Sequence, residues 1–264
     1  MCGLLTIFGE QQEKCVQYIE ESKRMGINVL PPDINFSERG FSIDGKALRY
    51  GLASIKGMGE AVVDAILAAR PFASLEDMIQ KVPKRIMNKR VINVLCRSGA
   101  LDGLGNEHKN RLAILQYLYM LRGDKDDISY EVSKYDKQAM LQDEKQLIGV
   151  YVSSHPLEGI CEKLNWDYIA DGDVFESAGI IRSFKEVRTK RGQLMAMVNL
   201  ETLDGEKKIV VFPDVYEKLD VPLQEGLIVK FAAYFKFNFQ YNERSCLAKK
   251  FTIPKRINSQ ILKK

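Results

Sequence analysis

Metal-ligand and nucleophilic chemistry have little to work with in this sequence. Its 264 residues include two histidines and five cysteines. Cys2, Cys15, Cys96, Cys161 and Cys246 are scattered singly, with no Cys-x-x-Cys pair. That spacing argues against a zinc ribbon and a redox dithiol, and predicts free thiols in a reducing, cytoplasmic setting. His155, in Ser154-His155-Pro156, has no second His or Cys at ligand spacing and reads as a turn residue. The clustered carboxylates of two-metal phosphoryl transfer are also missing, the acids being dispersed over helix faces and turns. No catalytic residue, metal or cofactor is assigned to this chain. No apolar run approaches a membrane span, and Met1 to Phe8 is too short and lacks the basic leader of a signal peptide. A net charge of +4, with 45% hydrophobic and 28% charged residues, is globular material that permits a polyanion partner without demanding one.

What is present centres on Leu52 to Arg70. Gly57 and Gly59 flank a single residue, so the backbone there can take positive φ and approach a ligand closely. From Ala61 the pattern turns helical, with Val62, Ile66 and Ala69 on one face. The loop therefore delivers free N–H groups to a helix start, an anion site made of Lys56, Gly57, Met58, Gly59 and Glu60, with Lys56 as a cation at its rim. The third glycine of a dinucleotide fingerprint is absent. Ile55, the two glycines, Ala61 and Ile66 instead follow the helix-hairpin-helix pattern, which grips DNA phosphates through backbone amides and reads no bases.

Upstream, Glu10 to Met25 reads as an amphipathic helix with Val16, Tyr18 and Ile19 inward, stopped by Gly26. Ile27 to Leu30 is a short strand, and Phe41 to Tyr50 a hairpin turning at Asp44-Gly45. The apolar opening, Gly3 to Phe8, suggests a surface packed against something absent. Downstream, Ser74 and Asp77 signal a helix start. From Met78 to Leu101 there is no acid, while Lys81, Lys84, Arg85, Lys89, Arg90 and Arg97 fall there. Asn88 can cap a second helix start beside Lys89 and Arg90, so Lys84, Arg85, Lys89 and Arg90 make a second phosphate-contacting surface. Glu107 to Leu121 and Lys137 to Val150 are further helices, separated by a charged loop from Arg122.

From Val174 the period changes from 3.6 to 2, with a boundary at about Asp167 to Asp173. Strands are expected at Ala178 to Val187, Gln193 to Leu203, Lys207 to Phe212, Leu227 to Phe237 and Ser245 to Ile253, with a short helix at Pro213 to Leu219. Five strands with a helix in that place form the pattern of an OB-fold barrel. In the fourth strand Leu227, Val229, Phe231, Ala233 and Phe235 share the core parity, leaving Lys230, Tyr234 and Lys236 on the other face, an aromatic between two cations suited to single-stranded nucleic acid. Arg188, Lys190 and Arg191 in the first turn, and Phe239 and Tyr241 in the last, add to that reading. The fold class is thus α+β and multi-domain, a helical region with a helix-hairpin-helix motif followed by a five-stranded OB-fold β-barrel. Its expected parts are 1–51, the helix-hairpin-helix region at 52–121, a linker with connecting helices at 122–173, the barrel at 174–254, and a tail at 255–264.

Several stretches resemble one family in one order: Tyr18 to Asn35, Arg49-Tyr50-Gly51-Leu52, Asn88-Lys89-Arg90-Val91, Gly99-Ala100-Leu101-Asp102, Gly149 to Leu157, and Arg188 to Val198. All are similar to the bacterial DNA polymerase III alpha subunit, a C-family replicative polymerase, in its C-terminal part: end of fingers, helix-hairpin-helix region and OB domain. The resemblance implies double- and single-stranded DNA and the remaining polymerase domains as partners, and magnesium only in a palm domain upstream of anything here. It does not extend to the clamp-binding peptide, since Gln138-Ala-Met-Leu is the nearest approximation and lacks the terminal aromatic. The implied function is a template-handling module without polymerase activity of its own. The alternative is a free-standing single-strand-binding or clamp-regulating protein built from the same module.

Overall fold

In a computed structural model, which describes residues 1–8, 12–238, 243–254 and 258, the apolar opening coils into a helix, α1 (Cys2–Phe8). Leu5 is buried in the chain's own core, and Thr6 Oγ1 donates to Phe41 O at 3.1 Å. The opening therefore packs in part on this chain itself, while Leu4 stays exposed. In α2 (Gln12–Arg24) Cys15 and Ile19 point inward and Val16 and Tyr18 are half-buried; Glu10 lies outside the described residues. β1 (Val29–Leu30) runs parallel to β3 (Ala47–Arg49), which pairs antiparallel with β2 (Ser42–Asp44) around Gly45.

Five helices of the same unit carry a local start signal or a clear apolar face. In α3 (Glu60–Ala69) the buried residues are Val63 and Ile66, so the core face is centred one position from the expected Val62, Ile66 and Ala69, which sit half-buried beside it or within it. Ser74 Oγ accepts from Asp77 N to start α4 (Leu75–Lys81), and Asn88 Oδ1 accepts from Val91 N to start α5 (Lys89–Arg97). The next helix, α6, spans Arg111–Leu121 rather than beginning at Glu107, because Asn110 Oδ1 accepts from Ala113 N at 2.9 Å and fixes the cap there. α7 (Ser129–Lys134) and α8 (Lys137–Leu147) follow, the latter capped by Asp136.

A buried ion network ties these helices together. Arg111, 4% exposed, makes a two-pronged pair with Asp102 and stands 2.9 Å from Glu144, which is fully buried on α8. The other Glu144 oxygen accepts from Val152 N and Ser153 N, both at 3.1 Å. Beside it Arg97 of α5 pairs with Asp143 at 2.8 Å, and the Tyr135 hydroxyl donates to the same carboxylate. Gly99 ends α5 with φ +84, and a Cβ there would lie 2.3 Å from Arg111 Nη2. Only glycine meets both demands.

The second unit, Leu157–Lys264, is a closed barrel of β4 (Val174–Arg188), β5 (Leu194–Thr202), β6 (Gly205–Val211), β7 (Ile228–Asn238) and β8 (Glu243–Thr252), ordered β4-β5-β6-β8-β7. A parallel β6–β8 pair closes it, and α9 (Pro213–Tyr216) lies between the third and fourth strands, which is the OB-fold topology. Trp166, ahead of the first strand, is part of this core. Its ring meets Phe175 and Phe235 edge-on at 5.1 and 5.8 Å, and its Nε1 donates to Asp204 at 3.2 Å. Asn258 is buried with both ends of its amide on the Ile228 backbone, each at 2.7 Å. Burial pushes the Cys15 thiol up to about 11 and Cys246 up to about 12, so both stay protonated at neutral pH.

Removing Arg111 would leave Glu144 buried with only two backbone amides for company. Arg111→Leu should cost the Met1–Pro156 unit about 3–5 kcal/mol, and Arg111→Leu with Glu144→Leu should recover most of it. Hydrogen exchange of the α5, α6 and α8 amides reads this directly. A single variant as protected as the native chain would show that the network does not hold the unit.

Candidate nucleic-acid interface

The hairpin is built outward from a buried root. Leu52 and Ile55 are buried, and the Leu52–Ser54 turn leads into Met58 N donating back to Ile55 O at 3.1 Å. That bond occupies the Met58 amide, and its side chain packs on the core. Gly57 has φ +94, whereas Gly59 is the α3 N-cap with ordinary extended backbone, φ −88 and ψ 153. Positive φ is thus required at Gly57 alone. Val62 N and Val63 N return to Gly59 O at 3.0 and 3.1 Å. The N–H groups of Gly57, Gly59, Glu60 and Ala61 have no acceptor among the described residues, and all four residues are exposed at the positive end of a helix. The Lys56 side chain is exposed beside them, while its own N–H donates to Leu147 O at 2.9 Å.

The second helix start lies on the same unit and touches the first through its helix. A Cβ on Gly57 would sit 3.4 Å from Val94 of α5. Val91, Ile92, Val94 and Leu95 face inward, and Lys84, Arg85, Lys89 and Arg90 are all exposed. The basic stretch is free of acid along the chain but not in space. Lys81 pairs with Asp77 and Arg97 with Asp143, each at 2.8 Å, and Lys89 pairs with Asp126. Lys84 Nζ donates to Arg122 O at 3.1 Å. Arg85 and Arg90 have no ion-pair partner among the described residues.

On the barrel, Lys190 and Arg191 are exposed in the β4–β5 turn, and Arg188 donates to Gly192 O at 3.0 Å. On β7 and just before it, Leu227, Val229, Phe231, Ala233 and Phe235 are buried in the barrel, while Lys230 and Lys236 are exposed and Tyr234 is half-buried between them. Register supplies what alternation along one strand could not show: Tyr234 pairs with Val174 on one side and Leu247 on the other, so apolar residues hold the neighbouring register positions. Sequence reasoning also missed Arg244, whose guanidinium lies 3.9 Å from the Phe235 ring centroid and pairs with Asp171 at 2.6 Å. Phe239 and Tyr241 lie outside the described residues.

Among the described residues no three His, Cys, Asp or Glu side chains converge on a point that could hold a metal ion. No helix among them is long and apolar enough to cross a membrane.

Residues 26–112 match the helix-hairpin-helix motif family. The DNA polymerase III subunit alpha of Bacillus subtilis is 33% identical over 87% of this chain and 23% of its own length, and that of Aquifex aeolicus 34% identical over 83% and 20%. The Mycobacterium tuberculosis subunit is 28% identical over 99% of this chain and 25% of its own. The chain therefore spans about a quarter or less of these relatives. The yeast mitochondrial single-stranded DNA binding protein Rim1 overlaps 32% of the chain at 17% identity with a TM-score of 0.25, which adds nothing to the strand order. This chain is a relative of the bacterial DNA polymerase III alpha subunit, matching a stretch of it that here folds as a helix-hairpin-helix unit and an OB-fold barrel.

Proposed function

We propose that the chain is a DNA-holding, template-handling module of a replicative polymerase of this kind, working in the cytoplasm with the polymerase's remaining domains. The observation that carries the reading is the set of four N–H groups at the exposed residues Gly57, Gly59, Glu60 and Ala61 that have no acceptor among the described residues, with the Lys56 side chain beside them. Fixed amides at a helix start bind a phosphate oxygen without reorganising, and they take no sequence information from it. The Glu60 carboxylate opposes an anion in the same turn, so the amides and Lys56 must outweigh it. Arg85 and Arg90, unencumbered by acids, extend the phosphate-holding surface toward α5. On the barrel, Tyr234 between Lys230 and Lys236 supplies a stacking ring with cations for the backbone of a single strand, and Lys190 and Arg191 add charge at the turn. The role needs no cofactor in this chain. Sequence identity to polymerase subunits supports this reading over a free-standing single-strand-binding protein.

Duplex binding should be indifferent to sequence and fall steeply with salt, measured by anisotropy of labelled duplexes. Gly59→Ala is the sharper probe, because a Cβ there meets open space and the backbone is ordinary, so the fold should survive while the approach to the amides narrows. Gly57→Ala should weaken binding too, but it also strains a positive φ. Affinity that tracks base sequence, or is unmoved by salt, would remove the phosphate-gripping account.

Supplied with primed template, magnesium and nucleotides, the chain alone should incorporate nothing. Extension abolished by replacing one of its own acids would overturn that division of labour.

For the barrel, Phe235→Ala truncates a buried ring and should cost about 3–5 kcal/mol, whereas Tyr234→Ala should leave the melting of the unit nearly unchanged and weaken single-stranded DNA binding. Melting curves and oligonucleotide anisotropy on the full chain separate the two. If neither change alters binding, the outer face of β7 is not the strand's path.

A further inference from the structure

The two helix starts differ in one respect that their sequences hide. The first has an exposed cation, Lys56, with no carboxylate partner among the described residues. The second has its leading cation already occupied from a distant part of the chain. Beyond the end of α6, Gly123 N returns to Met120 O and Asp124 N to Tyr119 O, which turns residues 122–126 back along the helix. The Arg122 guanidinium donates to Met87 O and pairs with Asp124 at 2.9 Å, while Lys84 Nζ donates to Arg122 O. Two links thus moor the loop to residues 84–87, directly ahead of α5, and the Arg122–Asp124 pair braces the loop itself. Its far end is fixed by Ile128 N donating to Gln116 Oε1 at 2.8 Å. So placed, the loop pairs Asp126 with the Lys89 ammonium and sets Asp124 3.9 Å from it. Lys89 is half-exposed and Asp126 nearly so, which leaves the pair open to exchange with a solvent-borne anion.

We propose that Asp126, held by the loop at residues 122–126, is an internal competitor for DNA phosphate at Lys89, and so sets the affinity and salt sensitivity of the second helix start for duplex. The inference rests on the phosphate-gripping reading above. A carboxylate and a phosphate oxygen ask the same thing of an ammonium, a charge-assisted hydrogen bond, so they exclude one another there. Nearby, Arg90 has no such competitor among the described residues, so Arg90 is open to a phosphate from the outset and Lys89 joins only when Asp126 is displaced. The Lys89 ammonium is held above its ordinary pKa, chiefly by its hydrogen bond to Asp126, which agrees with an occupied site. An exposed pair of this sort is weak enough to be displaced and strong enough to be felt in an affinity.

The test uses the full chain and a labelled duplex titrated at stepped salt. Asp126→Asn should tighten binding about two- to fivefold at a given salt. It should also steepen the salt dependence by about 0.9 in the log–log slope, one more phosphate neutralised. Asp126→Ala should do the same, and both should melt like the native chain. Because either change also removes a negative charge from the molecule, Glu107→Gln, exposed and elsewhere on the unit, is the charge-matched control and should give a clearly smaller gain. In a Lys89→Ala background the gain from Asp126→Asn should vanish. An equal gain from Glu107→Gln, a gain that persists without Lys89, or no gain at all would each overturn the proposal. If Arg90→Ala and Gly59→Ala still weaken a salt-sensitive affinity in that case, the hairpin reading stands and only the competitor is lost. If they do not, both fall together.

Discussion

The buried pair between Arg111 and Glu144 is the interaction on which the candidate interface depends. Burying two charges is costly, and their attraction repays it only when the remaining lone pairs and protons are satisfied. Most of them are satisfied here: Asp102 accepts from two prongs of the guanidinium, Val152 N and Ser153 N donate to one Glu144 oxygen, and the other oxygen has the Arg111 charge 2.9 Å away but no hydrogen bond, so it leans on Arg111 alone. A well-packed apolar pair could hold α6 and α8 together as tightly, but it would not dictate how far along its axis α8 sits. That offset matters because the last carbonyls of α8 are the seat of the hairpin. Leu147 O receives the Lys56 N–H, and Ile148 O lies 2.9 Å from the Tyr50 hydroxyl. Residues some ninety positions downstream thereby hold the root of the loop, and a loop held at its root can keep four amides aimed outward without bonds of their own.

Those long-range ties are also where the sequence was hardest to read. Local signals were legible: the Ser74 and Asn88 caps, the hairpin turn at Gly45, and the alternation of β7, whose inward and outward residues fall on the expected parities. Each is decided by a few neighbouring residues. On α3 the expected Ile66 is buried with Val62, Ala65 and Ala69 packed on the core, and only Val63 was missed, because a helix of small apolar residues shows nearly the same pattern from adjacent angles and the surrounding core selects among them. Residues 122–173 read as linker and connecting helices, with the Lys137 helix in place, because nothing local marks Glu144 as the partner of Arg111, or Trp166 as part of a barrel whose first strand begins at Val174. A single tryptophan in a polar stretch carries no period, so its place in the core is visible only once the strands are closed.

Charge shows the same limit more sharply. Six cations without an acid between Met78 and Leu101 suggest an open basic surface, yet carboxylates from Asp124, Asp126 and Asp143 return to two of them through chain reversals. Linear charge patterning reports what a segment brings, not what meets it. Pairing in space sorts the cations into two kinds, those already neutralised and those such as Arg85 and Arg90 left for a partner. Neither kind is marked in the sequence, since both belong to the same short run.

In the proposed role the two units, taken separately, would offer DNA different physical handles that share one property. The hairpin presents amides whose directions are set by backbone and by a distant helix end, so it suits a phosphate, the part of DNA that repeats regardless of sequence. The barrel presents a ring on its outer face, and every base has a face to stack on it. Tyr234 suits that role better than a fully exposed aromatic would. Half-buried, and paired across the backbone with Val174 and Leu247, it has less freedom left to lose on stacking than a fully exposed ring. A stack of about 1–3 kcal/mol per base then goes largely into affinity. On the proposed reading, a module that holds whatever template arrives needs this insensitivity in both of its halves, because base readout in either one would make the grip uneven along the strand.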